Sequence, residues 1–182
     1  MNAVSQEMTA PSSQLIILGH KGHRNDINSV IERFVKEKNL ACLYLSFNLP
    51  FMEIKSILSN LGVDAGRVVV IDCMTSSGST PKNAENCISI GDPGNLTGAA
   101  LAFVETLHQL ENGKVIIVDS VDTMLTYNHP ESVIKFLHMV TVKSKETGAS
   151  LAILAGHSCD GSIIGHIEQF VDIVENQGDD KK

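Results

Sequence analysis

Residues 15–26, Leu-Ile-Ile-Leu-Gly-His-Lys-Gly-His-Arg-Asn-Asp, join a short apolar run to a turn with two glycines and then to the start of a helix. A phosphate-binding loop of the form G-x-x-x-x-G-K-[ST] has the same parts: its backbone N–H groups and lysine surround the phosphates, and its hydroxyl holds magnesium. Aligning the first glycine on Gly19 places Arg24 at the second glycine. Asn25 then stands at the lysine and Asp26 at the hydroxyl. The stretch therefore looks like a phosphate-binding loop that has lost the residues that bind phosphate.

Length and composition predict one soluble domain. The 182 residues suit a single domain, and the four cysteines form no C-x-x-C pair, which is typical of reduced cytosolic thiols. The apolar runs have the length of strands, far short of the roughly 20 residues of a membrane span. The start of the chain lacks the basic and apolar regions of a secretion signal. We expect a cytoplasmic protein with a tail over residues 1–13, a domain over 14–175 and a polar tail over 176–182.

The charge distribution disfavours nucleic-acid binding. The formal net charge is -7, and the basic residues cluster only in pairs such as Lys36 with Lys38 and Lys143 with Lys145. Pairs of this kind are typical of a solvated helix face rather than of a groove for DNA or RNA.

Strand-like and helix-like segments alternate along the chain. Continuous apolar runs predict buried strands, and apolar residues at helical spacing predict helices between them, which together favour a mostly parallel sheet covered on both sides. Local signals predict where helices begin and end. The predicted N-terminal caps are Asn25 or Asp26, Asn95 or Thr97, and Asp160 or Ser162. Pro50 and Pro130 are predicted as first residues of helices, and Gly62 as the residue that ends one. The predicted strands are 15–18, 41–47, 67–71, 115–118, 151–155 and 171–174, with a short edge strand at 87–90 inside the long loop 73–95.

In a parallel sheet, ligands bind outside the carboxyl ends of the strands. The predicted strand ends are Gly19-His20, Phe47-Asn48, Asp119-Ser120 and Gly156-His157. The sequence therefore predicts that any chemistry of this protein takes place along this edge.

The order of the segments resembles the RecA/KaiC-like ATPase superfamily, especially single-domain archaeal KaiC-like proteins. The likeness covers residues 14–175 and is most specific in Asn95-Leu-Thr97, Lys114-Val-Ile-Ile-Val-Asp-Ser120, Thr123-Met-Leu-Thr-Tyr-Asn128 and Val133-Ile-Lys-Phe-Leu137. It implies a three-layer α/β/α fold around a mostly parallel P-loop sheet. Members of this superfamily commonly assemble side by side, so it also implies a homo-oligomer or a complex with an active relative.

The resemblance implies a role for four positions. Asp119 matches the Walker B aspartate, which orders the magnesium-bound water, although a purely structural role for this strand-end carboxylate is an equal alternative. Asn25 and Asp26 replace the loop lysine and hydroxyl. Asn48 stands where KaiC-like proteins carry the glutamate pair that polarises the attacking water. Losing one charge-assisted contact to phosphate lowers the binding free energy by about 1.5–3 kcal/mol. The whole binding free energy of a site with micromolar affinity is about 8 kcal/mol.

The leading hypothesis is a catalytically inactive domain that serves as a regulatory or protein-interaction module without a resident cofactor. The alternative is a nucleotide or phosphate sensor, or a weak ATPase, that binds ATP and magnesium at reduced affinity through Lys21, Arg24 and the backbone of Gly19 to Gly22. The binding residues that both hypotheses consider are Gly19, Lys21, Gly22, Arg24, Asn25, Asp26, Asn48, Asp119, Ser120 and His157. Glu53, in the first turn of the second helix, is the nearest substitute for the missing base.

A third hypothesis places a zinc or iron ion at the strand ends. Histidine with carboxylate is a suitable ligand set, but no local motif brings the residues together. The candidate ligands are His20, His23, His157, Asp26 and Asp119. Ser46, Ser120 and Ser158 lack the G-x-S-x-G context of a hydrolase nucleophile, and Cys73 is expected to be a buried filler.

Overall fold

A computed structural model gives the structure of the protein over residues 11–19, 23–37, 40–75, 85–110 and 113–177, with the backbone alone for 23–26. Seven strands form one sheet in the order β4-β3-β2-β5-β6-β1-β7, and every neighbouring pair is parallel. The strands are β1 Ser13–Leu18, β2 Ala41–Ser46, β3 Val68–Asp72, β4 Cys87–Ser89, β5 Lys114–Asp119, β6 Ser150–Gly156 and β7 Ile173–Asn176. The predicted α/β class and parallel sheet are confirmed.

Helices cover both faces of the sheet. The helices are α1 His23–Ile31, α2 Phe51–Leu61, α3 Leu96–Gln109, α4 Val121–Tyr127, α5 Pro130–Glu146 and α6 Gly161–Glu168. A π-helical turn, Glu32–Lys36, extends α1, and a 3-10 turn, Ala65–Arg67, precedes β3. Within these ranges, no helix combines the length and apolar character that a membrane crossing requires.

Alternating side chains divide the core into two halves. On one face, strand residues such as Leu43 and Ile116 pack with α3, α4, α5 and α6. On the other face, strand residues such as Tyr44 and Ile117 pack with α1, its π-helical turn and α2. Because successive strand residues point to opposite faces, one run of apolar residues supplies both halves of the core.

Several predicted helix ends agree with the structure. Asn95 caps α3 through a hydrogen bond from the Gly98 N–H (2.8 Å), and Asp160 caps α6 through the Ser162 N–H (2.7 Å). Pro130 is the first residue of α5, as predicted, whereas Pro50 lies one residue before α2. Gly62 ends α2 with a φ of 66°, a conformation that suits glycine. The short edge strand at residues 87–90 is also found, as β4.

Two local predictions are wrong, and one helix was not predicted. The α1 helix begins at His23, so Asn25 and Asp26 lie inside its first turn rather than at its cap. The short helix α4 directly after β5 was not predicted. The last strand begins at Ile173 rather than residue 171. β1 begins at Ser13, and β7 ends at Asn176.

Asp172 explains the shift of the last strand. Its Oδ2 atom accepts hydrogen bonds from the Ser13 N–H (2.9 Å) and hydroxyl (2.7 Å), and its Oδ1 atom accepts one from Lys145 Nζ (2.9 Å). These contacts hold Asp172 beside Ser13, the first residue of β1. Pairing between β1 and β7 then begins with Gln14 opposite Ile173. The Ser13 backbone N–H, followed by the Lys145 ammonium, lowers the pKa of the Asp172 carboxyl to about 2.

A small loss of stability should follow protonation of Asp172. Its folded pKa lies below its unfolded pKa of about 3.9, so its contribution is present above about pH 4 and is lost as the pH falls through about 2. The side chain is 44% exposed, so solvent screening keeps this contribution small. Urea unfolding of the wild type and Asp172→Asn should show a stability difference near neutral pH that shrinks at about pH 2.5. An equal difference at both pH values would contradict this assignment.

Candidate functional site

Four polar or glycine positions line up along the carboxyl edge of the central strands. Asn48 lies just beyond β2, Ser120 follows β5, His157 follows β6 and Gly19 follows β1. These strands are consecutive neighbours in the sheet, in the order β2-β5-β6-β1. The structure therefore brings to one edge four positions that the sequence assigned to the site.

The glycine loop is described at its two ends. Gly19 follows β1, and the backbone of Arg24, Asn25 and Asp26 forms the first turn of α1. His20, Lys21 and Gly22 lie outside the described residues, as do the side chains of residues 23–26. The strand-to-helix connection that a phosphate-binding loop requires is present, and the proposed roles of Lys21, Arg24, Asn25 and Asp26 stay predictions.

Asp119 is buried at the end of β5 and is engaged by another side chain. Its Oδ2 atom accepts a hydrogen bond from the Tyr44 hydroxyl at 2.8 Å, and both residues are at most 1% exposed. Burial, followed by the nearby Asp119 carboxylate, raises the pKa of Tyr44 well above its ordinary value. The peptide bond between Asp119 and Ser120 is cis. The contact gives Asp119 a structural partner within the sheet.

A chain of polar side chains connects the ends of β2 and β5 through α4. Thr123 Oγ1 donates a hydrogen bond to Asn48 Oδ1 at 3.3 Å and lies 3.3 Å from Ser120 Oγ. Thr123 was not predicted as a site residue, because its position depends on the unpredicted helix α4. This network holds the Asn48 amide just beyond the end of β2.

A second contact fixes the turn that carries His157. The Asp122 carboxylate, in the first turn of α4, accepts a hydrogen bond from the Gly156 N–H at the end of β6. A Cβ atom on residue 156 would lie 3.1 Å from both carboxylate oxygens of Asp122, so glycine allows this close approach. Asp122 therefore joins α4 to the β6–α6 turn.

Asp72 organises the neighbouring strand end. Its carboxylate is fully buried and accepts hydrogen bonds from the N–H groups of Phe51 (2.8 Å), Met74 (2.8 Å) and Thr75 (2.9 Å), and from the Thr75 hydroxyl (2.5 Å). Because Phe51 is the first residue of α2, Asp72 supplies the side-chain acceptor that Pro50 cannot supply. The sequence carries no signal of this role for Asp72.

Comparison with known proteins places the chain in a family and shows its fold. A family model described as "Family of unknown function (DUF7504)" matches residues 54–174. The chain belongs to this family. The match begins within α2, so β1, α1 and β2 of this DUF7504 member lie outside the matched segment. None of the curated proteins matches the sequence.

Two solved structures from the archaeon Pyrococcus horikoshii are similar to this DUF7504 member. The KaiC-like protein PH0186 gives a TM-score of 0.63 at 11% identity, covering 92% of this chain and 72% of the other. The uncharacterized protein PH0321, solved in complex with an unknown peptide, gives a TM-score of 0.56 at 18% identity, covering 92% of this chain and 77% of the other. The predicted RecA/KaiC-like fold is thereby confirmed.

The side chains of three of the five candidate metal ligands lie outside the described residues of this DUF7504 member. Across the described residues, no group of three or more His, Cys, Asp or Glu side chains could hold a metal ion. His20 lies outside those residues, and the side chains of His23 and Asp26 also lie outside them. The five-residue metal site therefore stays a prediction.

The cysteines and the candidate substitute base occupy other surroundings. All four cysteines are free thiols, and burial raises the pKa of Cys73 well above its ordinary value, which disfavours the thiolate that a nucleophile needs.

Glu53 lines a small crevice between α1 and α2 together with Asn28, Ser56, Ile57 and Asn60. That crevice contains none of the strand-end residues at which a water-activating base would be needed.

Proposed function

We propose that this protein is a RecA/KaiC-like domain that does not hydrolyse ATP and acts as a regulatory or protein-interaction module. The observation that carries the proposal is Asn48, whose amide stands where the resemblance implies the glutamate that polarises the attacking water. An amide is not a base at neutral pH, so Asn48 cannot accept a proton from an attacking water. Its hydrogen bond with Thr123 shows that the amide is built into the surrounding network.

Two further observations support the proposal. Asp119, the one matching Walker B residue, accepts a hydrogen bond from Tyr44, which gives a reason to retain this carboxylate without magnesium. Asp26 places a carboxylate residue in the first turn of α1, where the resemblance implies a hydroxyl. PH0321, which shares the fold, was solved in complex with an unknown peptide, and this agrees with an interaction role.

Purified protein should release no phosphate from ATP in the presence of magnesium above that of a protein-free control. The physical reason is the absence of a base at Asn48, and phosphate release is followed with a colorimetric assay. The matched variant is Asp119→Ala, which removes the Walker B carboxylate. Turnover by the wild type that Asp119→Ala abolishes would refute the proposal.

A thermal-shift titration separates the module from a nucleotide sensor. A ligand present at about 100 times its dissociation constant stabilises the folded state by about 2.7 kcal/mol. ATP, ADP, GTP and inorganic phosphate, each with magnesium, should produce no saturable rise in melting temperature. A saturable rise that is lost in the Lys21→Ala and Arg24→Ala variants would favour the sensor.

A further inference from the structure

A groove on the surface of the helical layer lies between α5 and α6. Its volume is about 350 Å³, and none of the strand-end residues described above lines it. The residues that line it are Ile134, Lys135 and His138 from α5, with His166, Gln169 and Phe170 from the end of α6 and the turn after it.

The groove is lined by two apolar side chains that pack against the core and by two histidine rings with defined contacts. Ile134 and Phe170 are partly buried and pack against the core. The His138 ring meets the Phe170 ring edge to face, with centroids 5.3 Å apart. His166 Nδ1 lies 2.7 Å from the Ser162 carbonyl oxygen. Because a carbonyl oxygen only accepts, Nδ1 carries the hydrogen, and this contact fixes the orientation of the ring.

Lys135 gives the groove a positive charge that its own chain leaves unpaired over the described residues. On the same helix, Lys143 pairs with Glu146 at 2.6 Å and Lys145 pairs with Asp172 at 2.9 Å. No carboxylate of the described residues lies within 4.0 Å of Lys135 Nζ, and no carboxylate lines the groove. Among the residues that line the groove, Lys135 is the one Lys, Arg, Asp or Glu side chain, on a chain with a formal net charge of -7.

Two acidic residues lie near the groove but outside its lining. Glu131 lies one turn before Lys135 on α5, and Glu168 lies on α6 beside the groove residues. Neither one lines the groove. A carboxylate bound in the groove would therefore contact Lys135 and not Glu131 or Glu168, although these two residues weaken the positive potential around it.

We propose that the α5–α6 groove docks an acidic peptide segment of a partner protein. A carboxylate of the segment pairs with Lys135, and an apolar side chain packs on Ile134 and Phe170. An apolar centre with a polar rim is the arrangement of protein-binding surfaces, and opposite charge sets the orientation of the partner. This inference rests on the proposed interaction role but not on the loss of ATP hydrolysis, so the phosphate-release assay and a peptide titration can fail independently.

The test titrates the full chain into a fluorescein-labelled peptide, Glu-Glu-Leu-Phe-Glu-Glu, and follows fluorescence anisotropy. Lys135→Glu should weaken binding by about tenfold or more, since removing a paired interfacial charge and adding a like charge costs more than about 1.4 kcal/mol. The matched control is Lys143→Glu, which makes the same change on the same helix outside the groove and should weaken binding by less than about threefold. A peptide with Ser-Ser in place of Leu-Phe should also bind more weakly, which tests the packing on Ile134 and Phe170.

Three outcomes would overturn the inference. The first is no saturable binding of the peptide by wild-type protein whose circular dichroism shows it to be folded. The second is an equal loss of affinity in Lys135→Glu and Lys143→Glu, which would reveal only long-range attraction. The third is a change in sedimentation of Lys135→Glu without peptide, which would show that the groove contacts a second copy of the chain.

Discussion

Replacing Tyr44 with Phe should lower the free energy of unfolding by about 1.5–3 kcal/mol, the value of a hydrogen bond to a charged group. The substitution removes the hydroxyl that donates to Asp119 in a fully buried setting and leaves the ring in place. Urea unfolding followed by circular dichroism measures the change. The matched control is Tyr127→Phe, because Tyr127 is 53% exposed and should change stability by less than about 0.5 kcal/mol.

A double-mutant cycle tests whether Asp119 is retained for this contact. Tyr44→Phe and Asp119→Asn should each destabilise the fold, and their coupling energy should be about 1–3 kcal/mol because the two side chains interact directly. A coupling energy near zero would show that Tyr44 does not account for Asp119, and a role in binding magnesium would gain support.

The same contact has a signature at alkaline pH. The folded-state pKa of Tyr44 is raised above its ordinary value of 10.0, first by burial and then by Asp119. Its contribution to stability is therefore complete below about pH 10 and is lost as the pH rises from there towards the higher folded value. The wild type should lose stability above about pH 10 more steeply than Tyr44→Phe does.

Replacing Asp72 with Ala should lower the free energy of unfolding by about 3–5 kcal/mol, because it removes a buried carboxylate that accepts several hydrogen bonds. The substitution leaves the Phe51 N–H at the start of α2 without its acceptor, and it also releases the chain at Met74 and Thr75. Chemical denaturation measures the loss. Because α2 follows Asn48 closely, the substitution should also loosen the carboxyl edge of β2.

Asp64 provides the matched control for Asp72. Its exposed carboxylate accepts a single hydrogen bond from the Gly66 N–H at 2.9 Å. Asp64→Ala should therefore cost only about 0.5–1 kcal/mol, the usual range for losing one exposed cap. Equal losses in the two variants would show that burial and the number of hydrogen bonds at Asp72 do not set its contribution.

Sequence patterns predicted the elements whose signals are local. The strands appear as apolar runs because both faces of this parallel sheet are covered, and α2 is bounded by Pro50 and Gly62, whose conformational preferences act within the helix itself. In contrast, α4 has only seven residues and depends on tertiary contacts, including the buried Met124 and the bond from Gly156 to Asp122. A helix of this length has little stability of its own, so local pattern could not reveal it.

The sequence predicted which edge of the sheet the candidate residues share, but not the contacts between them. The strand ends followed from the alternation of segments, so Asn48, Asp119 and His157 could be assigned to one edge of the sheet. The contact between Tyr44 and Asp119 joins residues 75 positions apart and depends on the register between β2 and β5. Sequence alone does not contain that register. The role of Thr123 likewise depended on α4, which the sequence did not predict.

The position of β1 in the sheet has a consequence for synthesis of the chain. Ribosomes make β1 first, yet it pairs only with β6 and β7, and Ser13 lies opposite Leu151 in the register. A nascent chain that ends before β6 can bring β2, β3, β4 and β5 together, but it offers β1 neither of its neighbours. Domains whose contacts span long sequence separations fold slowly. β1, the strand before the turn where the sequence first suggested a phosphate site, can therefore join the sheet only after β6 has been made.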